Sequence, residues 1–510
     1  MIRRIKIRIL TLITMIYLYF PVFVFLITWT RLYIAVPASL FAVYGIYTVY
    51  KNTDKDEDVQ YHLSVVIVYL LIVVILSIYS GWGGFLVQHY DWNKHNAVLS
   101  DLIEYDYPVY YQNGSEKSML TYYIGIYLIP GLMGKTVGFR MAHLIMCSEL
   151  WGFAILVYLN ILRITKSDTI KRELLVCFSC ICFNFPMLVV LPLKLLYKDR
   201  EGIDFNRLGL AIENLISEDK EYDLILQVRG LYIAYAMFPA YLPIAVTTVL
   251  YYVYREKLNC YTAIWVPAIL YCLMALPYII LIAVIMLLIE LIKNKNPDVK
   301  KMIIQNIVNI LPSIPLILYF SGNVFSVKDK SIGLSLQCLG KDFFIALIFF
   351  ILTIMPYIIL VYKTNKTDPL FYLTGAFLFV SMFISMGRFN DLMITGTIPL
   401  AVLIMIMICK TFSDKKICKK GKAVLLIVIL VATFPLCFFN KTVSDYKEVR
   451  FIEDNDQDYD TVVMLRDGFR TYGSMKQFAN RSSNHESDLK YNYFTYDYEE
   501  KLFFKFLARK

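Results

Sequence analysis

The chain has 510 residues, of which 58% are hydrophobic, and its mean hydropathy is +0.56. Successive apolar runs of roughly 17 to 25 residues are each long enough to cross a hydrocarbon core of about 30 Å, which excludes an ordinary water-soluble domain. The net charge of +10 does not indicate a nucleic-acid-binding protein, because Lys and Arg concentrate in the short loops between these runs. We therefore predict an all-α integral membrane protein.

The apolar runs predict about thirteen transmembrane helices. The first follows a basic N-terminal segment that lacks a small-residue cleavage site, so we expect an uncleaved helix and not a signal peptide. Pro267 and Pro277 interrupt the two short runs between 260 and 292, the least regular part of the count. In chain order, the predicted spans are 9–28, 33–50, 62–80, 139–163, 174–196, 231–254, 260–275, 277–292, 303–320, 343–362, 370–386, 392–410 and 422–439.

Loop charge predicts the orientation of these spans. With the N-terminus inside, the inner segments contain 24 Lys and Arg in 62 residues and the outer loops contain 13 in 123, a nearly fourfold difference in density. The positive-inside rule therefore places the N-terminus in the cytoplasm and the C-terminus outside, in a multi-pass protein of the cell (plasma) membrane. The inner segments are 1–8, 51–60, 163–173, 255–258, 293–301, 363–369 and 410–422, and the outer loops are 29–32, 81–138, 197–230, 321–342 and 387–391.

Three regions of the chain differ in composition. Residues 1–60 are predicted to form a two-helix membrane hairpin with its inner loop, and residues 61–440 the transmembrane core. Residues 441–510 are rich in Asp, Asn, Ser and Tyr, and form a predicted external polar tail. The two halves of the chain share no internal repeat, which disfavours an inverted-repeat transporter.

The core has two large predicted external loops, 81–138 and 197–230. The second mixes charged and apolar residues at helical spacing, which predicts either an amphipathic lid or a solvated helix. Within the first, segment 119–134 is short, rich in Tyr and Gly, and broken at Pro130. We expect it to lie in the membrane interface and not to span the bilayer.

The first external loop contains the densest group of chemically active side chains, Asp91-Trp92-Asn93-Lys94-His95-Asn96. If this segment is helical, Asp91 and His95 share a face at i and i+4, and Trp92 lies at the interface. An acid, a base and an imidazole at the membrane boundary favour an acid-base site above the bilayer. A solvated loop helix anchored by aromatic residues remains the alternative.

Cationic residues stand at other predicted external boundaries. Arg140 begins one span and Arg229 precedes another, and guanidinium groups suit bidentate contacts with a lipid phosphate. For Arg140 the alternative is ordinary snorkelling at a helix end. Arg388, Asn390 and Asp391 lie in a very short turn, where turn chemistry competes with a role in binding phosphate and sugar.

The order of these features resembles the GT-C class of membrane glycosyltransferases, which includes protein O-mannosyltransferases and other polyprenyl-phosphate-sugar-dependent enzymes. The resemblance covers the architecture of about residues 60–440 and few residues in detail. The features that carry the resemblance are Asp91 in the first large external loop, an aromatic segment from Tyr122-Tyr123 to Pro130, Gly134 to Gly138, and Phe139-Arg140 at the next span. The phrases Asp91-Trp92-Asn93-Lys94-His95-Asn96 and Gly387-Arg388-Phe389-Asn390-Asp391 are also similar to those of large uncharacterised bacterial membrane proteins.

This resemblance implies that Asp91 is the catalytic base. The class often has an adjacent acidic pair in this loop, whereas Trp92 follows Asp91 here. From their chemistry and their positions at the membrane boundary, the candidate substrate-binding residues are Lys94, His95, Asn96, Arg140, Arg229, Arg388, Asn390 and Asp391.

The leading functional hypothesis is transfer of a sugar from a polyprenyl-phosphate donor to a saccharide or protein acceptor outside the membrane, in cell-envelope polysaccharide or glycoconjugate assembly. A polysaccharide polymerase and a non-enzymatic transporter or flippase of lipid-linked sugars are the alternatives. A transporter should carry ionisable residues at midplane depth, and the predicted spans are nearly free of them. No cofactor is certain, but a divalent cation could bind oxygen ligands from Asp91, Asp101, Glu104 and Asp391.

Overall fold

The structure is a computed structural model that describes residues 2–85, 92–113, 116–185, 240–293, 299–324, 335–336, 342–386, 391–438, 464–466, 469–471, 475 and 494–509. Helices account for most of these residues. They are α1 (Ile7–Trp29), α2 (Leu32–Lys51), α3 (Leu63–Tyr79), α4 (Trp92–Glu104), α5 (Leu128–Val137), α6 (Phe139–Thr165), α7 (Ile170–Cys182), α8 (Tyr241–Val253), α9 (Tyr261–Cys272), α10 (Pro277–Lys293), α11 (Val299–Ile310), α12 (Ser313–Val324), α13 (Asp342–Thr353), α14 (Met355–Asn365), α15 (Pro369–Val380), α16 (Asp391–Ile394), α17 (Ile398–Ser413) and α18 (Lys419–Phe438).

The strands are short and form antiparallel pairs between segments that flank the helices. They are β1 (Ile2–Lys6), β2 (Asp58–His62), β3 (Tyr110–Asn113), β4 (Glu116–Leu120), β5 (Ser335–Leu336), β6 (Ile384–Ser385), β7 (Met464–Arg466), β8 (Phe469–Thr471) and β9 (Phe494–Tyr496). β1 pairs with β2, β5 with β6 and β7 with β8, while β3, β4 and β9 form one three-stranded sheet in that order.

The apolar helices carry hydrophobic side chains on both faces. In α1, Leu10 and Leu18 are buried, whereas Ile9 and Ile16 are each about half exposed. α2 and α3 likewise expose apolar side chains, among them Leu40 and Leu71. A helix that is apolar all round can pack one face in a bundle while the other meets hydrocarbon, so this pattern indicates contact with membrane lipid.

Five described helical segments are long and apolar enough to cross a membrane, namely Ile7–Trp29, Leu32–Lys51, Phe139–Thr165, Leu258–Ala275 and Asp391–Ser413. Two pairs, α11 with α12 and α13 with α14, are bent by 57° and 52°, and raise the number to seven if each pair is one span. Four further apolar helices are shorter. The described residues form a helical membrane protein, but they do not match the predicted count of thirteen spans. An apolar run reports composition and does not show where a helix bends or stops.

Segments predicted to be cytoplasmic contact one another at one end of the bundle, here called the basic end. Lys166 forms an ion pair with Glu57 at 3.3 Å, and Lys415 one with Asp168 at 3.0 Å. The pairing of β1 with β2 brings the N-terminal segment to the same end of the bundle. The segments that meet here are 1–8, 51–60, 163–173 and 410–422.

A second assembly, here called the cap, consists of residues 92–137 and 494–509. β9 of the tail pairs with β4 of the first loop. The backbone N–H of Arg31, in the α1–α2 corner, donates to the carbonyl of Leu507 at 2.8 Å. The cap therefore joins the first large loop and the end of the chain to this corner, where the sequence predicts an outer loop.

The stretch 121–127 packs inside the protein. Tyr122, Ile124 and Tyr127 are at most 5% exposed. The expectation that 119–134 lies in the membrane interface is therefore wrong for these residues, because protein and not lipid covers their aromatic and aliphatic side chains. Further along, α5 exposes Leu132 and other apolar side chains.

Candidate functional site

α4 is buried within the cap. Trp92 and Leu99 are at most 1% exposed, and only the ends of the helix reach the surface, where Glu104 is exposed. The helix considered for this segment is present over Trp92–Glu104. The alternative of a solvated loop helix is wrong, because the side chains of Trp92 and its neighbours pack against protein.

His95 is held in a defined orientation by an aromatic cluster. Its Nδ1 shares a hydrogen bond of 2.6 Å with the hydroxyl of Tyr127, and the two rings are stacked with centroids 6.0 Å apart. The Trp92 ring meets the imidazole edge-on at 5.9 Å. Because the bond made by one ring nitrogen sets the tautomer and aim of the other, this arrangement orients Nε2 for proton transfer or hydrogen bonding.

The loop that supplies Tyr127 is anchored on two helices. The backbone N–H of Gly125 donates to the carbonyl of Leu270 at 3.1 Å, and the Tyr319 hydroxyl accepts from the N–H of Tyr122 at 3.0 Å. A Cβ at position 125 would lie 2.7 Å from the Tyr271 ring, so only glycine allows the backbone this close to α9. These contacts preorganise the His95–Tyr127 pair.

A second imidazole, which the sequence did not single out, lies near Trp92. His143 of α6 is fully buried, and its ring centroid is 6.2 Å from that of Trp92 and 4.8 Å from that of Phe139. A histidine one turn inside an apolar span could have been noticed, since it is a rare residue there. The Trp92 ring is therefore close to both imidazoles, those of His95 and His143.

Asp101 has a structural role in the cap. Its Oδ2 accepts hydrogen bonds from the hydroxyl of Tyr111 at 2.6 Å and from the backbone N–H of Met475 at 2.9 Å. The side chain is fully buried. Burial, followed by the nearby Asp101 charge, raises the pKa of Tyr111 well above its ordinary value. Through these hydrogen bonds, the Asp101 carboxylate connects the tail to the first loop. The described contacts therefore do not support the expectation that Asp101 binds a cation.

The other predicted site residues on described elements have different surroundings. Lys94 is half-buried and Asn96 is fully buried, both on α4. Arg140 is exposed, unlike its buried neighbours Phe139 and His143 on α6. This burial pattern matches snorkelling of Arg140 at a helix end.

Asp391 is the half-buried first residue of α16. Its carboxylate is close enough to the Cys272 thiol, at the end of α9, to interact electrostatically with it. The carbonyl of Leu270, also on α9, accepts the hydrogen bond from Gly125 in the loop that carries Tyr127. Asp391 therefore lies near α9, the helix that also supports the His95 cluster. The remaining predicted residues lie outside the described residues: Asp91, Arg229, Arg388 and Asn390.

No group of three or more His, Cys, Asp or Glu residues that could hold a metal ion occurs among the described residues. Asp101 and Glu104 are one helical turn apart on α4, but Asp101 is bound by Tyr111 and Met475. Described side chains therefore give no support to a divalent cation at this site.

A buried acid in α6 was also missed. Glu149 lies near the middle of the predicted span 139–163, within the 27-residue α6, and it is 8% exposed. A single carboxyl in an apolar span is a recognisable signal, because such residues are costly in a membrane. The expectation that mid-span regions are nearly free of charge overlooked it.

The fold and these contacts define a polytopic helical membrane protein with a folded cap over one corner of its bundle. Comparisons with protein-family models, curated proteins and solved structures find no match.

Proposed function

We propose that the protein is a GT-C-like membrane glycosyltransferase that moves a sugar from a polyprenyl-phosphate donor to an acceptor on the external side. The observation that carries the proposal is the oriented His95–Tyr127 pair, whose imidazole lies on the helix that directly follows Asp91. Fixed polar groups in a water-excluding aromatic cluster are suited to positioning a reacting hydroxyl. Exposed apolar faces on α1 to α3 offer hydrocarbon contact for the lipid chain.

The proposed reaction is a displacement at the anomeric carbon of the donor sugar. Asp91 takes the proton of the acceptor hydroxyl, the acceptor oxygen forms the new glycosidic bond, and the bond to the lipid phosphate breaks. The leaving phosphate carries away the electron pair, and cationic side chains offset its charge. In this scheme Lys94, Arg140, Arg229 and Arg388 serve the phosphate, and His95, Asn96, Asn390 and Asp391 position the sugar or acceptor.

Replacing the proposed base tests the reaction. Asp91→Asn keeps the shape of the side chain but removes the base, so transfer should fall on the order of 10²–10⁴-fold. The assay uses the full chain in proteoliposomes with radiolabelled polyprenyl-phosphate hexoses and an oligosaccharide acceptor. Asp106→Asn, at an exposed position of the same loop, should retain wild-type transfer.

Two results would decide against this scheme. Full transfer by Asp91→Asn would show that Asp91 is not the base. If the wild-type protein transferred no sugar from any of these donors, the proposed glycosyltransferase activity would be ruled out. Arg388→Ala should weaken donor binding, because it removes charge assigned to the phosphate.

A transporter of lipid-linked sugars is the second candidate, and Glu149 is the observation that favours it. An ionisable residue within a span is typical of proteins that couple ion movement to transport. The same proteoliposomes distinguish the candidates. A transporter would move the labelled headgroup between leaflets without forming a glycosidic product, and Asp91→Asn would leave that movement intact.

A further inference from the structure

Glu149 places a carboxyl group deep in the helical bundle. It is the eleventh of the 27 residues of α6, and neither carboxyl oxygen has a hydrogen-bond partner among the described residues. The other charged residues of α6 are Arg140 and Arg163, nine and fourteen positions away. At 1.5 Å per residue, they lie about 14 and 21 Å distant along the axis.

Two phenols from neighbouring helices flank this carboxyl. The hydroxyl of Tyr17, on α1, donates to the backbone carbonyl of Glu149 at 2.8 Å. A Cβ at Gly152 would overlap that hydroxyl, so the glycine admits Tyr17 to this part of α6. Tyr271 of α9 is fully buried, contacts Phe153 edge-on at 5.6 Å, and interacts electrostatically with Glu149.

The elements that pack against α6 bring charged residues only near helix ends or in the cap. The neighbouring helices α3, α8 and α9 contain none at all. Besides its two arginines, α6 carries three further titratable side chains: His143, six positions closer to the cap, Cys147, two positions from Glu149, and Tyr158, nine positions from it. The charged residues on the other packed elements are Arg8 on α1, Lys94, Asp101 and Glu104 on α4, Lys135 on α5, Lys171, Arg172 and Glu173 on α7, Lys410 on α17 and Asp58 on β2.

Packing alone does not account for an acid at this position. A leucine would fill a similar volume without the cost of burying a polar group. An ionised carboxylate with no counter-charge would cost several kcal/mol in this environment, so the carboxyl must carry a proton or acquire a cation.

We propose that Glu149 is a proton-binding site inside the membrane bundle, held as a neutral acid between Tyr17 and Tyr271 and able to exchange its proton with the aqueous phase. The site is separate from the cap chemistry and does not depend on whether the protein transfers sugar.

Infrared difference spectroscopy on the full chain in liposomes tests this site. The spectrum of wild type minus Glu149→Gln should contain the carbonyl stretch of a protonated carboxyl at neutral pH. The band should shift in deuterated water and disappear as the pH rises. Tyr271→Phe should move its frequency, because the phenol contributes to the local field. Labelling glutamate with heavy carbon in the unmutated chain identifies the band even if the variant folds poorly.

Glu173→Gln is the matched control, because Glu173 is buried but bound by the Nδ1 and backbone N–H of His62 at 2.8 Å each. Its difference spectrum should show loss of carboxylate bands. The same carboxylate signature for Glu149→Gln would overturn the proposal. So would a protonated band that neither exchanges in deuterated water nor titrates, since that behaviour describes an inert packed acid.

Discussion

The basic end and the cap of this protein are held together by different interactions. At the basic end, ion pairs connect segments far apart in the chain, and the pair between Glu173 and His62 is largely buried. In the cap, aromatic rings and a strand from the tail supply contacts, and the buried Asp101 is held by hydrogen bonds. The exposed ion pairs of the basic end stay in contact with water, whereas aromatic rings cover the polar groups inside the cap.

This difference indicates which of the two assemblies can hold reacting side chains in a fixed orientation. Exposed ion pairs contribute little to stability and hold side chains loosely. Buried hydrogen bonds within an aromatic cluster fix geometry, as the His95–Tyr127 pair does. We therefore place the candidate site in the cap, and the predictions below compare the two assemblies.

The largest effect is expected where the tail packs on the bundle. Phe503 is 1% exposed and its ring contacts those of Phe25 and Tyr319. Phe503→Ala should lower the free energy of unfolding by about 3–5 kcal/mol, through lost burial and a cavity. Denaturant titration in mixed micelles measures this change, and limited proteolysis should show earlier cleavage of the tail. Phe506→Ala, at a side chain 59% exposed, should cost less than about 1 kcal/mol. Equal losses for both variants would contradict tight docking of the tail.

At the basic end, the buried pair should matter more than the exposed pairs. His62→Ala removes the ring that pairs with Glu173 at 2.8 Å, and leaves a carboxylate that is 1% exposed. We expect a loss of about 3 kcal/mol in the free energy of unfolding. Glu57→Gln, which breaks the exposed pair with Lys166, should cost less than about 1 kcal/mol. If His62→Ala were as mild as Glu57→Gln, the two kinds of pair would not differ as argued.

A smaller effect is expected from one hydroxyl in the cap. Tyr111→Phe removes the donor to Asp101 and should cost about 2 kcal/mol, the range for a hydrogen bond to a buried charged group. Tyr110→Phe removes a 3.4 Å contact to the Arg509 carbonyl at an exposed position and should change stability by less than about 0.5 kcal/mol. Calorimetric unfolding of the two variants under one buffer condition provides the comparison. A negligible change for Tyr111→Phe would mean that Asp101 depends on Met475 alone.

Alkaline pH should weaken the cap through the same tyrosine. Burial and then Asp101 raise the pKa of Tyr111 above its ordinary value of 10. The contribution of the Tyr111 hydroxyl to the free energy of unfolding is fully present below pH 10. It is lost as the pH rises above 10, because the unfolded chain releases this proton at a lower pH than the folded chain. The slope is at most about 1.4 kcal/mol per pH unit for one group. Tyr111→Phe should show a shallower decline in this window, and an unchanged slope would assign the effect to other groups.

Several side chains now considered for the site were recognisable from the sequence, because an acid, a base, an imidazole and amides stand together in a short segment. Lys94, His95 and Asn96 of that segment lie on α4, for which a helix was one possibility. The segment itself does not show that α4 is buried, because this burial depends on the tail and on residues 121–127, which cover the helix. The exposure of Arg140, against the burial of His143 three positions later, likewise depends on which face of α6 meets protein.

The sequence by itself determined the helical membrane class and the segregation of basic loops, because both follow from the free energy of moving side chains between water and hydrocarbon. Only the tertiary structure decided the number of long spans, the Asp101–Met475 link and the setting of Glu149 between Tyr17 and Tyr271. These features join residues up to 374 positions apart. Such contacts arise from complementary packing of distant surfaces, and no local periodicity encodes which surfaces will meet.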